Sequence, residues 1–133
     1  MKFEDKGYEA YGQGNFQLAL EEWTVEADAG NPFAQFSLGM MYENGTGIPQ
    51  NLPKAIELYQ SSAAQGVTHA RHNLAWLFIR GDAGQDLVFD GVRLLEENAK
   101  AGFGESRSDI GLMYQDGRYV AQDTGLAISY LEQ

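Results

Sequence analysis

The stretch that decides the fold is residues 31–66, NPFAQFSLGMMYENGTGIPQNLPKAIELYQSSAAQG. In its first half, small and apolar residues recur at intervals of three and four, which predicts one face of a helix. These residues are Ala34, Leu38, Met41 and Tyr42. Asn31 and Pro32 supply a helix N-cap and a proline in the first turn. The Gly- and Pro-containing segment 45–49 then predicts the end of this helix.

A second helix is predicted from near Asn51 to Gly66. Its small and apolar residues again recur at intervals of three and four: Ala55, Leu58, Tyr59, Ser62 and Ala63. Two helices joined by a short loop form a helical hairpin. The sequence has no alternating pattern of the length that a strand needs. We therefore predict an all-α chain.

The hairpin pattern returns every 36 residues, the step that separates Gly30, Gly66 and Gly102. Other columns with the same step are Leu38, Leu74 and Ile110; Tyr42, Phe78 and Tyr114; Ala19, Ala55, Gly91 and Ala127; and Trp23, Tyr59, Leu95 and Leu131. One such unit cannot bury its apolar face alone. The repetition therefore predicts hairpins that stack side by side.

A column of small residues within the first helices indicates close packing. Gly39 and Gly111 lie in the middle of predicted helices, where Gly costs about 1 kcal/mol relative to Ala. Because this cost recurs at one position of the repeat, we expect a bulky neighbour to approach the backbone there. The aromatic residues Trp23 and Tyr59 of the second helices are the predicted neighbours.

These residues resemble the unit of the Sel-one-like repeat family, a tetratricopeptide-related group of α-solenoids. The matching positions in 31–66 are Ala34, Leu38-Gly39, Tyr42, Gly45-Thr46-Gly47-Ile48, Asn51, Lys54-Ala55, Tyr59 and Ala63-Ala64-Gln65-Gly66. The middle unit departs from the family, with Ala75 in place of Gly and Gly91 in place of Ala. The resemblance implies an α/α right-handed superhelical solenoid of about three and a half stacked helical hairpins.

The predicted organisation is one repeat domain over 1–133. Residues 1–30 are expected to form an N-terminal tetratricopeptide-like hairpin. Residues 31–66, 67–102 and 103–133 are expected to be Sel-one-like repeats, the last of them truncated.

The charge of the chain excludes some classes of partner. Nineteen Asp and Glu against nine Lys and Arg give a formal net charge of −10. Nucleic acids and anionic membranes would be repelled, so neither is an expected partner. The chain has no Cys, which rules out disulfides and thiolate metal sites. Without a signal-peptide pattern at the N-terminus, the protein is expected in the cytoplasm, or in the periplasm if a signal peptide preceded Met1.

The resemblance also implies where a partner binds. In tetratricopeptide-like arrays the first helices line a concave face. The residues just after the small column, and those one turn earlier, would face inward there. The predicted partner-binding residues are Phe36, Met40, His72, Trp76, Arg80 and Leu112. Aromatic residues, Met and Arg are favoured at interfaces, although Phe36 and Trp76 could equally pack between adjacent hairpins.

No catalytic, cofactor or metal site is predicted. His69 and His72 are three residues apart but have no acidic neighbour within a turn, so a metal site is disfavoured. The adjacent carboxylates of Glu21-Glu22 and Glu96-Glu97 diverge by about 100° on a helix and cannot converge on one substrate bond. The segment Gly45-Thr46-Gly47 lacks the third glycine of a dinucleotide-binding loop.

The predicted function is that of a non-enzymatic adaptor that binds another protein or peptide, which the acidic charge suggests is basic. The resemblance allows a narrower role, an immunity protein that neutralises a secreted bacterial toxin. A hydrolase is disfavoured because the sequence brings no nucleophile, base and orienting group together. A peptidoglycan or small-ligand binder would require export. Ile128 and Leu131 near the C-terminus lack predicted cover, so self-association through the last hairpin is a further expectation.

Overall fold

A computed structural model describes residues 5–132 of the chain. Residues 1–4 and Gln133 lie outside this described range. The sequence analysis assigns them to the first and last hairpins. The described residues contain eight α-helices, one short 3-10 helix and no strand, which confirms the all-α prediction. They form two compact units, one ending at Ala70 and the other starting at Arg71.

The helices follow one another in pairs. They are α1 (Lys6–Gly12), α2 (Phe16–Asp28), α3 (Pro32–Asn44), α4 (Leu52–Ala64), α5 (Thr68–Ile79), α6 (Val88–Lys100), α7 (Gly104–Asp116) and α8 (Thr124–Leu131). The 3-10 helix Gln85–Leu87 precedes α6. The described part of the chain has no helix whose length and hydropathy would suit a bilayer.

Side-chain caps start the helices where the sequence predicts them. The Asn31 side chain accepts hydrogen bonds from the backbone N–H groups of Phe33 and Ala34, at 3.0 and 3.2 Å. Asn51 and Asp123, 72 residues apart, cap α4 and α8 in the same manner. Each cap satisfies backbone donors that a helix N-terminus leaves without an intrahelical partner.

The glycine column marks a turn that recurs with the same backbone geometry. Gly30, Gly66 and Gly102 have φ of +94°, +94° and +95°. This left-handed conformation favours glycine and closes a helix C-terminus. The closing hydrogen bond runs from the N–H of Asn31 to the carbonyl of Glu26 at 3.0 Å. The 36-residue period is therefore a period of backbone conformation as well as of residue type.

Close packing at the small column is confirmed. A Cβ atom on Gly39 would lie 2.7 Å from Cε1 of Tyr59. At Gly111 the neighbour is Leu131, whose Cγ would lie 2.7 Å away, so the prediction of an aromatic neighbour was wrong there. Leu131 occupies the same position of the repeat as Tyr59. Its aliphatic side chain fills the space that the tyrosine ring fills beside Gly39.

The loop before α6 differs from its counterparts. Leu87 stands where Asn51 and Asp123 cap the other second helices, and it makes no capping hydrogen bond. The chain instead forms the 3-10 turn Gln85–Leu87 before α6 begins at Val88.

Each unit has its own apolar core. In the first unit the buried cluster contains Ala10, Ala19, Trp23, Ala27, Ala34, Leu38 and Met41. In the second unit it contains Ala75, Ile79, Val92, Leu95, Ala99, Ile110 and Met113. The first helices thus bury one face and leave the residues between these positions to form surface.

Candidate functional site

The six predicted partner-binding residues are divided between the two units. Phe36 and Met40 belong to the first unit and are half-buried. His72 and Trp76 are half-buried in the second unit, where Arg80 and Leu112 are exposed. Phe36 and Met40 line one surface cleft, and Trp76 and Leu112 line another.

The cleft of the first unit, here called the aromatic cleft, has a volume of about 220 Å³. Its lining residues are Tyr8, Tyr11, Trp23, Phe36, Ser37, Met40 and Met41. Tyr8 is 72% exposed, and Tyr11 is also an exposed aromatic residue. Aromatic residues are enriched at binding surfaces relative to the rest of a protein surface.

Neighbouring side chains hold the rings of the aromatic cleft. The Tyr11 ring centroid lies 5.1 Å from that of Phe16 and 5.7 Å from that of Trp23. Nε1 of Trp23 donates a hydrogen bond to Oδ1 of Asp5 at 2.9 Å. The same oxygen accepts from the backbone N–H of Tyr8 at 2.8 Å and so caps α1. One carboxylate therefore fixes both the start of α1 and the orientation of the indole.

Phe36 packs against neighbouring rings and also reaches the surface. Its ring centroid lies 6.0 Å from that of Tyr59 and 6.1 Å from that of His69, so one side of the ring packs within the unit. The ring also lines the aromatic cleft. Phe36 is both a packing residue and a surface residue.

The cleft of the second unit, here called the acidic cleft, has a volume of about 190 Å³. Its lining residues are Trp76, Asp109, Leu112, Met113, Asp116, Arg118 and Tyr119. Nε1 of Trp76 donates a hydrogen bond to Oδ2 of Asp109 at 2.9 Å. The cleft therefore joins an oriented indole and aliphatic side chains to carboxylates.

His72 lies beside this cleft in a polar cluster. Its Nδ1 is 2.8 Å from Oγ of Ser106. Its Nε2 is 3.7 Å from Oδ2 of Asp109 and 3.8 Å from Oε2 of Glu105. Neither carboxylate lies within a turn of His72 in the sequence, since both come from α7, more than thirty residues away.

The Ser106, His72 and Asp109 side chains do not assemble an accessible nucleophile. Ser106 is fully buried, in the column that Ala34 and Ala70 occupy in earlier repeats. The 3.7 Å between Asp109 and the imidazole exceeds a hydrogen bond, and this carboxylate accepts from Trp76. Across residues 5–132 no group of three His, Asp or Glu side chains is placed to hold a metal ion.

Arg80 does not line the acidic cleft. Its Nε is 3.4 Å from Oδ2 of Asp82 in the following loop.

Six cleft residues were not predicted from the sequence: Tyr8, Tyr11, Asp109, Asp116, Arg118 and Tyr119. The spacing of Tyr8 and Tyr11 along α1 could have indicated a surface stripe, but no local signal marks the others.

A tyrosine pair lies elsewhere in the second unit. Oη of Tyr114 donates a hydrogen bond to Oε1 of Glu96 at 2.7 Å. This bond, together with burial and the negative charge of Glu96, raises the pKa of Tyr114 from 10.0 to about 12. Burial also raises the pKa of Tyr130, whose ring stacks on that of Tyr114 at 6.1 Å.

Comparison with known sequences points to one repeat type. The sequence model of the Sel1 repeat matches residues 32–67 and 105–133. The DAP3-binding cell death enhancer 1 of Rattus norvegicus is 35% identical over 77 residues, which are 58% of this chain and 15% of the rat protein. Chitin synthase regulatory factor 3 of Schizosaccharomyces pombe is 25% identical over 112 residues, which are 84% of this chain and 12% of that protein. The chain thus spans only a small part of these relatives.

Solved structures share the fold. A Sel1 repeat protein from Oxalobacter formigenes superposes with a TM-score of 0.81 at 28% identity, over 93% of this chain and 52% of that one. A protective antigen with an SLR fold from uropathogenic Escherichia coli gives a TM-score of 0.84 at 24% identity, over 95% of this chain and 28% of that one. These likenesses confirm the predicted fold class, an all-α solenoid of helical hairpins.

Proposed function

Because the chain belongs to the Sel1-like repeat family, we propose that it is a non-enzymatic adaptor that holds a partner protein or peptide against the first helices of its hairpins. Sel1 repeat proteins are generally protein-interaction and regulatory modules. The names of two relatives agree with a role in protein interaction or regulation: one is called DAP3-binding, and the other is called a regulatory factor.

The observation that carries the proposal is the aromatic cleft. Tyr8 and Tyr11 present exposed rings from α1, and Phe36 and Met40 present half-buried apolar side chains from α3. Binding energy concentrates in a few aromatic and other large side chains that a partner can desolvate completely. The apolar side chains of a bound segment would cover these rings.

The charge of the chain favours a basic partner. A net charge of −10 speeds the encounter with a cationic surface and repels an anionic one. A basic secreted toxin would satisfy this requirement, as would any other basic protein. The immunity role is therefore one special case of the proposal.

Affinity capture with matched variants tests the proposal. The test variant combines Tyr8→Glu with Met40→Glu, which places two charges in the aromatic cleft. The control is Val25→Glu, because Val25 is 67% exposed, close to the 72% of Tyr8, and lies on α2 outside both clefts. Proteins that the wild type and the control capture, and the test variant loses, are then purified for direct titration.

Two outcomes decide the result. We expect the purified partner to bind the test variant at least about tenfold more weakly than the wild type, since two central contacts are lost. Equal affinity of the wild type and a folded test variant for every captured partner would overturn the proposal. Circular dichroism of each variant shows whether it is folded.

Self-association through the last hairpin is a separate proposal about partners. Leu126, Ile128 and Leu131 of α8 are all exposed. Apolar side chains of this size favour burial against a second copy. Light scattering over a range of concentrations should show a dimer that Ile128→Lys dissociates. A wild-type monomer at every concentration would contradict it.

A further inference from the structure

We propose that the acidic cleft of the second unit binds a cationic side chain, a lysine or arginine that the partner presents. This inference rests on the proposed function and names the chemistry that the partner needs. It concerns residues of the second unit alone, so it can be tested without the aromatic cleft.

The size of the acidic cleft suits one side chain. Its volume is about 190 Å³, which is below the range of about 300–1,000 Å³ that is usual for small-molecule sites. Trp76, Leu112 and Met113 give it apolar walls, and Asp109 and Asp116 add carboxylates. A long aliphatic stem that ends in a positive charge matches both kinds of surface.

The walls of the cleft are fixed before a partner arrives. The hydrogen bond of 2.9 Å from Nε1 of Trp76 to Asp109 orients the indole. Tyr119 has φ of +66°, a left-handed conformation that is uncommon for a residue with a side chain. Its side chain lines the cleft and accepts a hydrogen bond from Arg118. Rings held in this way lose little conformational freedom when a ligand binds.

Asp116 is the carboxylate with an unfavourable local position. It is the last residue of α7, where the helix dipole disfavours a negative charge. Within residues 5–132 its carboxylate has no hydrogen bond and no ion pair. A cation in the cleft would offset this unfavourable charge.

Arg118 shows that this surface accepts a guanidinium group. Its Cζ lies 5.1 Å from the centroid of the Tyr119 ring, within the range of a cation–π contact. Its Nη2 also donates a hydrogen bond to Oη of Tyr119 at 3.3 Å. Arg118 is exposed, so an incoming cation can displace it or compete with its charge. It therefore acts as the chain's own competitor for the cleft.

The experiment titrates the full chain with N-acetyl-arginine methylamide and follows the indole N–H signals by NMR. The chain has two tryptophans, so Trp23 in the aromatic cleft is an internal control for Trp76. The citrulline analogue is the matched probe, because it keeps the shape of arginine and lacks the charge. We expect the arginine probe to shift the Trp76 signal saturably and to leave Trp23 unchanged.

Two substitutions separate recognition from a general structural effect. Asp116→Asn should weaken binding of the arginine probe about three- to tenfold, since it removes a charge and keeps the shape. Arg118→Ala should strengthen binding about threefold, because the competing cation is gone. Damage to the fold would weaken binding in both variants, so the opposite signs distinguish the two explanations.

Three results would overturn the inference. They are an unmoved Trp76 signal, an equal shift with the citrulline probe, and weaker binding by Arg118→Ala. Failure of the arginine titration would not affect the proposed function, because the aromatic and acidic clefts share no residue. Conversely, failure of the capture experiment with a positive arginine titration would remove the proposed function and leave a cation-binding cleft.

Discussion

Gly39 of α3 lies directly against the ring of Tyr59 in α4, so that a Cβ atom on the glycine would come within 2.7 Å of Cε1 of the ring. Tyr59 is fully buried, and its hydroxyl donates a hydrogen bond of 2.7 Å to Oε1 of Glu43. The ring is thus held at both ends. The helix accepts a glycine in its interior because the neighbouring ring needs the space.

This relationship predicts the effect of filling the space. Gly39→Leu should lower the free energy of unfolding by about 1–3 kcal/mol, because overpacking forces the ring or the backbone to move. Chemical denaturation measures the change. Gly12→Leu is the control, since a Cβ atom at Gly12 meets nothing within 4 Å. Equal stability of the Gly39 variant and the wild type would refute the packing described here.

The bond between Trp76 and Asp109 predicts a difference between two substitutions. Asp109→Ala removes the acceptor of the indole N–H and should lower the free energy of unfolding by about 1 kcal/mol. Asp109→Asn keeps a side-chain oxygen that can accept the bond, so a smaller loss is expected. The indole N–H resonance of Trp76 should move only in the Ala variant. Indistinguishable variants would show that this bond does not orient the indole.

Tyr114 predicts how stability changes in alkali. Its pKa is raised from 10.0 to about 12 in the folded chain by the hydrogen bond to Glu96, by burial and by the nearby negative charge. The folded state therefore keeps the proton longer than the unfolded state. The stabilisation is complete below pH 10 and is lost as the pH rises towards 12.

Urea denaturation of the wild type and Tyr114→Phe measures this loss. The difference between their free energies of unfolding should shift steadily against the wild type from pH 10 to pH 12. Tyr130 is present in both proteins, so its own titration cancels to a first approximation. Glu96→Gln should bring the pKa of Tyr114 back towards 10.0. A pH-independent difference between the two proteins would contradict the assignment.

Much of the fold could be predicted because its determinants are local. Gly30, Gly66 and Gly102 mark turns that need a left-handed residue, and Asn31 and Asn51 supply caps within three residues of their partners. A 36-residue period makes such signals reinforce one another. The 3-10 turn before α6 escaped prediction because Leu87 replaces the capping residue of the repeat and leaves no local signal for the helix start.

The clefts could be predicted only in part. The repeat register selected Met40, Trp76 and Leu112, which line one cleft or the other. It could not supply Asp109, which bonds to Trp76 across two helices, or Tyr119, which lies in a loop with an unusual backbone angle. Such contacts depend on side-chain chemistry at single positions. A repeat period shows only which positions are equivalent in size and polarity.

The most direct test of the account is a map of the bound partner on the chain. Backbone amide signals of the labelled protein are compared with and without the purified partner from the capture experiment. The account predicts that the largest changes fall on Tyr8, Tyr11, Phe36 and Met40, on the first helices α1 and α3. Changes confined to the second helices α2 and α4, with these four residues unaffected, would contradict it.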